Sequence, residues 1–461
     1  MTLEPIHIEE IFRIINSVEK TAGDETDSES LDDLFLKLTE LKNKGRVILK
    51  SIGFPSIYSI SKRKLIESSD ESKDPFKVIY ACDSGSTNPL LFDCGLFVDI
   101  CHCAIASTPS DLDLHRKRTI VCSGFSSKSD SSFLKESTWN VFDEGFCRSK
   151  TISIDSSLLK KRIARMVHDV ALYYSESEHM LFIQNEFKKD GFLIMDGPLY
   201  PKQLMYWMSV PSDDILIRHD KTAQKILQNY VDIIDFHIKT QIPVVGFVKN
   251  PEDVQIVNAL NEMFKEDGIY KKVPWSSDSQ MFKAFLKSDD FKGEHVNSKK
   301  PNVSINSKKS NTRANSKYKT ALNKSDELSY TNWFIQPNQY YEKEIKSSSP
   351  LVYGKLNHEN EPEDYALSFF IVHTVIDGKS IIFKIECPYG LIKSEDMRQK
   401  ITGKMLFELS LYSIPETLSK ADSIAKISVL EKNTVQSMFK VLNIDTNYNL
   451  IRWGDLDEYW E

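Results

Sequence analysis

Two apolar runs that each close on an aspartate and then break at a glycine set the tightest limit on how this chain can fold. The first is Lys77-Val-Ile-Tyr-Ala-Cys-Asp83, followed by Ser84-Gly85-Ser86. The second is Phe192-Leu-Ile-Met-Asp196, followed by Gly197-Pro-Leu-Tyr200. Short apolar runs bounded by turn residues read as buried strands. In an open α/β sheet, groups at strand ends face the crevice where ligands bind. Two carboxylates delivered to one crevice repel each other unless a cation lies between them, the arrangement that two-metal phosphodiester chemistry requires. Either segment alone is also an ordinary turn, because aspartate accepts a backbone hydrogen bond and glycine supplies positive φ.

A chain of 461 residues has room for more than one domain, and its 41% hydrophobic content is that of a soluble protein. No apolar run approaches membrane-spanning length, and the start, Met1-Thr-Leu-Glu-Pro-Ile-His7, lacks the basic and apolar regions of a secretory signal. Seven cysteines without paired CxxC spacing predict reduced thiols and a cytoplasmic location. Cys101-His102-Cys103 reads as strand rather than a zinc ligand set, since alternate residues point to opposite faces. The absence of a GxxxxGK loop excludes ATP hydrolysis by this chain.

The net charge of −7 does not suggest a nucleic-acid partner, but its distribution does. Lys292 to Lys324 holds nine Lys or Arg and one acid, Glu294, among many Ser and Asn. With so few apolar residues, this stretch is expected to be a disordered insertion. It is either a solvated spacer or a basic arm whose Lys299, Lys300, Lys308, Lys309 and Arg313 contact phosphates in a salt-sensitive way.

Helical spacing of Ile8, Ile11, Phe12, Ile15 and Val18, and then of Leu31, Leu34, Phe35, Leu38 and Leu41 up to Gly45, predicts two N-terminal helices. From residue 76 the pattern turns to strands: 77–83, about 92–107 and about 118–124 suggest an antiparallel meander. Ser156 and Ser157 can cap a helix whose stripe is Leu159, Ile163, Met166, Val170 and Tyr174. Strand 192–196, a helix over 222–240 and strand 243–248 follow. Strands near 365–374 and 379–386, and helices near 394–410 and 415–430, complete the pattern.

That order resembles ribonuclease-H-like nucleases, and the residues resemble one family. Ala81-Cys-Asp83-Ser-Gly-Ser86 looks like the first motif of the NurA nucleases, and Leu193-Ile-Met-Asp196-Gly-Pro-Leu-Tyr200 like their aspartate-glycine strand. Val244-Val-Gly-Phe-Val-Lys249 resembles the strand that follows. Phe383-Lys-Ile-Glu386-Cys-Pro388 and Ile414-Pro-Glu-Thr-Leu-Ser-Lys-Ala421-Asp422 resemble the closing region. The resemblance implies an α/β, ribonuclease-H-like mixed sheet flanked by helices, and a deoxyribonuclease acting on DNA ends with two Mn²⁺ or Mg²⁺ ions. It also implies a homodimer, a HerA-like hexameric ATPase as partner, and a role in archaeal or bacterial double-strand-break resection. The expected division is an N-terminal helical packing or dimerisation element over 1–50, a nuclease domain over 76–435 interrupted at 292–328, and a C-terminal extension over 436–461. A catalytically silent adaptor of the translocase and a non-cleaving nucleic-acid-binding module are the alternatives.

Four metal-site positions come with the resemblance, and Asp83 and Asp196 match the first and third. Asp169 is the expected helical acid, with Glu176 and Glu178 as rivals. Where the family has a histidine, this chain has Asp422, which is either a ligand suited to a hard cation or merely a helix cap. Lys249 either holds a phosphate or is simply exposed. Tyr200 and Trp207 either stack on an unpaired base or pack in the core.

Overall fold

Strands in this protein join into one mixed sheet, fifteen of them among the described residues. The computed structural model describes residues 4–22, 31–70, 74–92, 94–127, 137–209, 213–217, 220–266, 272–288, 326–337 and 356–441. The basic stretch with Lys299, Lys300, Lys308, Lys309 and Arg313 lies outside these residues, as does the side chain of Trp207. In chain order the first strands are β1 (Glu40–Asn43), β2 (Arg46–Ser51), β3 (Ile57–Ser61), β4 (Val78–Ser86), β5 (Leu90–Leu91), β6 (Leu96–Thr108), β7 (Arg118–Ser126), β8 (Asn140–Phe142) and β9 (Cys147–Ile154). Then come β10 (Gly191–Asp196), β11 (Val244–Val248), β12 (Glu327–Thr331), β13 (Phe334–Gln336), β14 (Leu367–Ile376) and β15 (Lys379–Pro388).

The centre of the sheet is the ribonuclease-H-like arrangement. β4, β6 and β7 form an antiparallel meander, while β10 and then β11 extend the sheet on the other side of β4, parallel to it. β15 and β14 continue antiparallel beyond β11. Val78 to Cys82 and Gly191 to Met195 are buried without alternation, because both faces of the central sheet are covered. The helix Ile163–Ile183 packs on one face and the helix Glu416–Ala425 on the other. Parallel register sets Met195 beside Cys82, so the next residues, Asp196 and Asp83, stand side by side; Asp196 ends β10, but β4, expected to break after Asp83, runs on to Ser86 because Ser84, Gly85 and Ser86 still pair with β6.

Two expected elements are corrected. The leucine stripe after Leu31 is α-helical only over Leu31–Leu36, tightens into one 3₁₀ turn over Lys37–Thr39, and then enters the β1–β2 hairpin. Gly45, read as a helix stop, belongs with Lys44 to the hairpin turn, where both have positive φ (76° and 50°). The division expected at residue 50 therefore falls inside β2, which pairs with β13. The helix expected from Ser156 begins instead at Ile163, because Leu159 pairs with Ile215 and holds that stretch extended. Ser156–Leu158 forms only a short 3₁₀ turn, in which Asp155 accepts the Ser157 N–H at 2.8 Å.

Two glycines let backbone segments approach the central strands closely. A Cβ on Gly85 would lie 2.0 Å from the Ala425 carbonyl oxygen, so β4 accepts the end of the helix that carries Asp422 only because this residue is glycine. A Cβ on Gly246 would lie 2.5 Å from the Leu199 nitrogen and 2.9 Å from the Gly197 oxygen. The turn that follows Asp196 thus rests directly on β11. Gly246→Ala should destabilise the protein by about 1–3 kcal/mol, because both opposing atoms are backbone and cannot rotate away. Thermal unfolding of the purified variant checks this.

Candidate active site

Asp83 ends the buried part of β4 and is itself half-buried. Its Oδ1 accepts the Ser84 N–H at 2.7 Å. Burial, and then the charge of Asp196, push its carboxyl up to about 7; the Ser84 bond opposes this, while Glu176 and Asp422 add to it. Four carboxylates, on two strands and two helices, therefore share one electrostatic neighbourhood. Asp196 Oδ2 accepts Lys249 Nζ at 2.6 Å, so the strand-end lysine neutralises one of them.

Glu176 reaches the cluster from the helix Ile163–Ile183. Ser84 Oγ donates to its Oε1 at 2.6 Å and the Tyr230 hydroxyl to its Oε2 at 3.3 Å. Burial raises its carboxyl to about 7, the two hydroxyls pull the other way, and the charge of Asp196 adds to the rise. Asp169 is placed differently. It lies on the same helix seven residues earlier, about 10 Å along the axis, and Arg165 Nε stands 3.8 Å from its Oδ2. Burial raises it to about 6, with Arg165 and His168 opposing, and none of the other cluster carboxylates contributes. Glu178, the other rival, accepts Asn229 Nδ2 at 2.9 Å and pairs with Arg148 at 3.5 Å. Glu176 is thus the helical acid that the fold brings to Asp83 and Asp196.

Sequence reasoning ranked Glu176 low because Ser175-Glu-Ser-Glu178 reads as a polar helix end. The helix in fact runs on to Ile183, and Ser175, Ser177, Glu178 and His179 are buried beneath other elements. The one available signal was Met180 and Ile183, which resume the apolar stripe after this polar interval.

Asp422 sits on the exposed side of the helix Glu416–Ala425, whose Leu418, Ala421 and Ala425 face inward. It is not the N-cap, which is Pro415; it lies in the last turn, where a carboxylate gains nothing from the helix dipole. His102 Nδ1 donates to the Ala425 carbonyl at 3.2 Å and helps fix this helix end against β6. Tyr200 is buried at 2% exposure, and its hydroxyl donates to the Tyr365 carbonyl at 2.9 Å. That ring packs in the core and presents no stacking face to a base.

A buried ion network holds the turn after Asp196. Glu386 Oε2 accepts the Leu199 N–H at 3.0 Å, and Oε1 pairs with Lys202 at 2.7 Å and Lys384 at 3.1 Å. Asp253 pairs with the same two lysines, at 3.0 and 2.6 Å. Burial works against the charge on Asp253, but Lys384 and Lys202 outweigh it and hold the group well below the usual carboxylate range.

By donor chemistry the oxygen-only set of Asp83, Glu176, Asp196 and Asp422 suits a hard divalent cation, whereas the described residues whose donor atoms already lie within 4.8 Å of one another are Asp99, Cys101 and His168. Burial and mutual repulsion oppose the charged forms of Asp83 and Glu176, and a cation would relieve the repulsion. A carboxyl with a higher pKa in the folded state than in the unfolded state penalises folding as it ionises. The penalty is absent below about pH 4, grows with pH, and is complete above about 7. Without metal, this term should lower the melting temperature from pH 5 to pH 8. Mn²⁺ should raise it more at pH 8 than at pH 5, and Asp83→Asn should flatten both trends in differential scanning fluorimetry.

Among known proteins, the NurA domain matches residues 77–427 of this chain. No curated protein matches. Two solved structures cover nearly the whole chain: the NurA nuclease from Sulfolobus solfataricus and a NurA with manganese. The first is 10% identical with a TM-score of 0.40, covering 98% of this chain and 99% of that one. The second is 8% identical with a TM-score of 0.40, covering 94% and 98%. The sequence match alone spans well over half of the chain, so this protein belongs to the NurA family.

Proposed function

We propose that this chain is a metal-dependent deoxyribonuclease that cleaves phosphodiester bonds at DNA ends, with Asp83, Glu176, Asp196 and Asp422 holding two Mn²⁺ or Mg²⁺ ions. The observation that carries this reading is that Asp83 and Asp196 stand side by side on neighbouring strands, with Glu176 held beside them by Ser84 and the end of the Asp422 helix seated on Gly85. When bound, the ions would supply an activated water and stabilise the leaving oxygen. Asp83 and Asp196, on neighbouring rigid strands, keep the spacing of the donors fixed. Ser84 and Tyr230 orient Glu176, and Lys249 can exchange its bond with Asp196 for a phosphate oxygen of the substrate.

A role in double-strand-break end resection, a HerA-like hexameric ATPase as partner and a homodimer belong to the same proposal. What supports an assembly is the helix Pro5–Ala22, whose Ile6 and Phe12 stand 67% and 60% exposed. No described helix is long and apolar enough to cross a membrane.

Cleavage of end-labelled single- and double-stranded DNA with Mn²⁺, Mg²⁺ or chelator tests the activity. Asp83→Asn, Asp196→Asn and Glu176→Gln should each reduce cleavage by more than the roughly 10–100-fold typical of losing a partner outside the ligand set. Circular dichroism should stay that of the wild type. Asp169→Asn should keep most of the activity, and a loss equal to that of Glu176→Gln would return Asp169 to the ligand set. Metal-independent binding without cleavage would favour the adaptor or the simple binding module.

Asp422 is tested separately, because it is exposed and its removal costs the core little. Asp422→Ala should raise the Mn²⁺ concentration needed for half-maximal rate, and Asp422→His should restore it, since imidazole also ligates that ion. An alanine titration that overlays the wild type would remove Asp422 from the proposed ligands.

A further inference from the structure

β4 carries a second set of contacts to the helix Ile163–Ile183, separate from the carboxylate cluster. Ser84 and Ser86 point to the same face of the strand, two residues apart. Ser84 holds Glu176, whereas Ser86 Oγ donates to Asp99 and lies 2.8 Å from each carboxylate oxygen. Asp99, on β6, is fully buried and also accepts Thr87 Oγ1 at 2.9 Å and His168 Nδ1 at 2.6 Å. Because the carboxylate only accepts, Nδ1 must carry the hydrogen, which fixes the tautomer and the orientation of the ring. His168 is 31% exposed and Asp99 not at all, so the open side of the ring faces away from the carboxylate. No hydrogen bond to Nε2 is found among the described residues.

The position of this ring relates it to the proposed cleavage site. Ser86 lies three residues beyond Asp83, about 10 Å further along β4 toward the crevice. Exposed Lys160 and Lys161 precede the helix that carries His168, exposed Arg165 lies in its first turn, and that turn has no acid. Lys161 pairs with Asp214 at 2.7 Å and Arg165 stands 3.8 Å from Asp169, both at the surface end of long side chains. A polyanionic strand leaving the cluster toward this helix would meet positive charge and the positive end of the helix dipole.

We propose that His168, locked by Asp99 and Ser86, is a DNA-phosphate contact, donating Nε2–H to a non-bridging oxygen of a phosphate next to the scissile one. This rests on the nuclease reading and adds a binding residue to it. In its protonated form, which the two flanking anions favour, the ring gives one N–H to the buried carboxylate and the other to the phosphate. A metal held by Asp99, Cys101 and His168, whose donor atoms lie within 4.8 Å of one another, is the competing use of the same cluster. The hydrogen bonds from Ser86, Thr87 and His168 already satisfy Asp99 without an ion, and the Cys101 thiol is itself buried 3.8 Å from that carboxylate.

The test is fluorescence anisotropy with a labelled single-stranded oligonucleotide in chelator, together with steady-state cleavage in Mn²⁺. His168→Ala should raise Kd and KM about five- to tenfold, the order expected for one charge-assisted hydrogen bond at a partly exposed site. The loss should fall on KM more than on kcat, and His168→Gln, which keeps an N–H donor, should recover part of it. An unchanged Kd in His168→Ala, while the wild type still cleaves DNA, would overturn the contact and leave the nuclease reading intact. Equal losses in the alanine and glutamine variants with a matching fall in Tm would overturn it in favour of a structural role. A kcat defect cured by excess Mn²⁺ and shared by Cys101→Ser would overturn it in favour of the metal. A wild type that neither binds nor cleaves the oligonucleotide would instead remove the nuclease reading itself.

Discussion

Repulsion between carboxylates on neighbouring strands is the constraint around which the rest of this protein is arranged. β4 and β10 run parallel in register, so Asp83 and Asp196 stand side by side. Adjacent strands lie just under 5 Å apart, and at that separation two unit charges near a protein surface repel by ~3 kcal/mol. Glu176 and Asp422 then bring two more charges from opposite faces of the sheet. The fold offsets part of this with Lys249 on Asp196 and with the Ser84 and Tyr230 hydroxyls on Glu176. What remains is an excess of negative charge, which couples stability to protonation in this site and would couple both to the binding of a cation.

Holding such a cluster requires rigid surroundings. The turn after Asp196 is fixed from below by Gly246, which lets it touch β11, and from the side by Glu386, which takes the Leu199 N–H. Glu386 is fully buried, and it stays charged because Lys202 and Lys384 surround it with Asp253 as the fourth member. A buried four-member network of this kind is costly to assemble, and removing one partner would strand a charge in the interior. Its return is geometric, since it ties β15, the loop after β11 and the segment after β10 into one unit beneath the carboxylates. On the other face, Gly85 and His102 do the same for the helix that carries Asp422.

Much of this was legible in the chain. The apolar runs ending in Asp83 and Asp196 identified the central strands, and their order with the meander identified the ribonuclease-H-like centre. The N-terminal leucine stripe and the start of the long helix were misread because local periodicity could not register a distant partner. Leu38 and Leu41 are buried in a cluster with the distant helices Gln255–Glu266 and Asp278–Lys287 and with β13 and β14, and Leu159 is held by Ile215. Tyr200 illustrates the same limit, since only the Tyr365 carbonyl, far along the chain, shows that its hydroxyl belongs to the core.

The sequence by itself determined where the buried runs give way to a carboxylate, because continuous apolarity is a local property of the chain; that Asp-Gly ends β10 while Asp-Ser-Gly lets β4 run on to Ser86 was decided by pairing with β6. It also determined that the donors at those points are hard oxygens. Tertiary structure alone decided which helical acid joins them. Asp169 and Glu176 lie on one helix, two turns apart and on nearly the same face, and nothing in their local sequence states how far the helix slides along the sheet. That offset follows from the packing of the helix against β4, β6 and β7, and from the hydroxyls of Ser84 and Ser86, which take Glu176 and the Asp99–His168 pair at consecutive positions of one strand face.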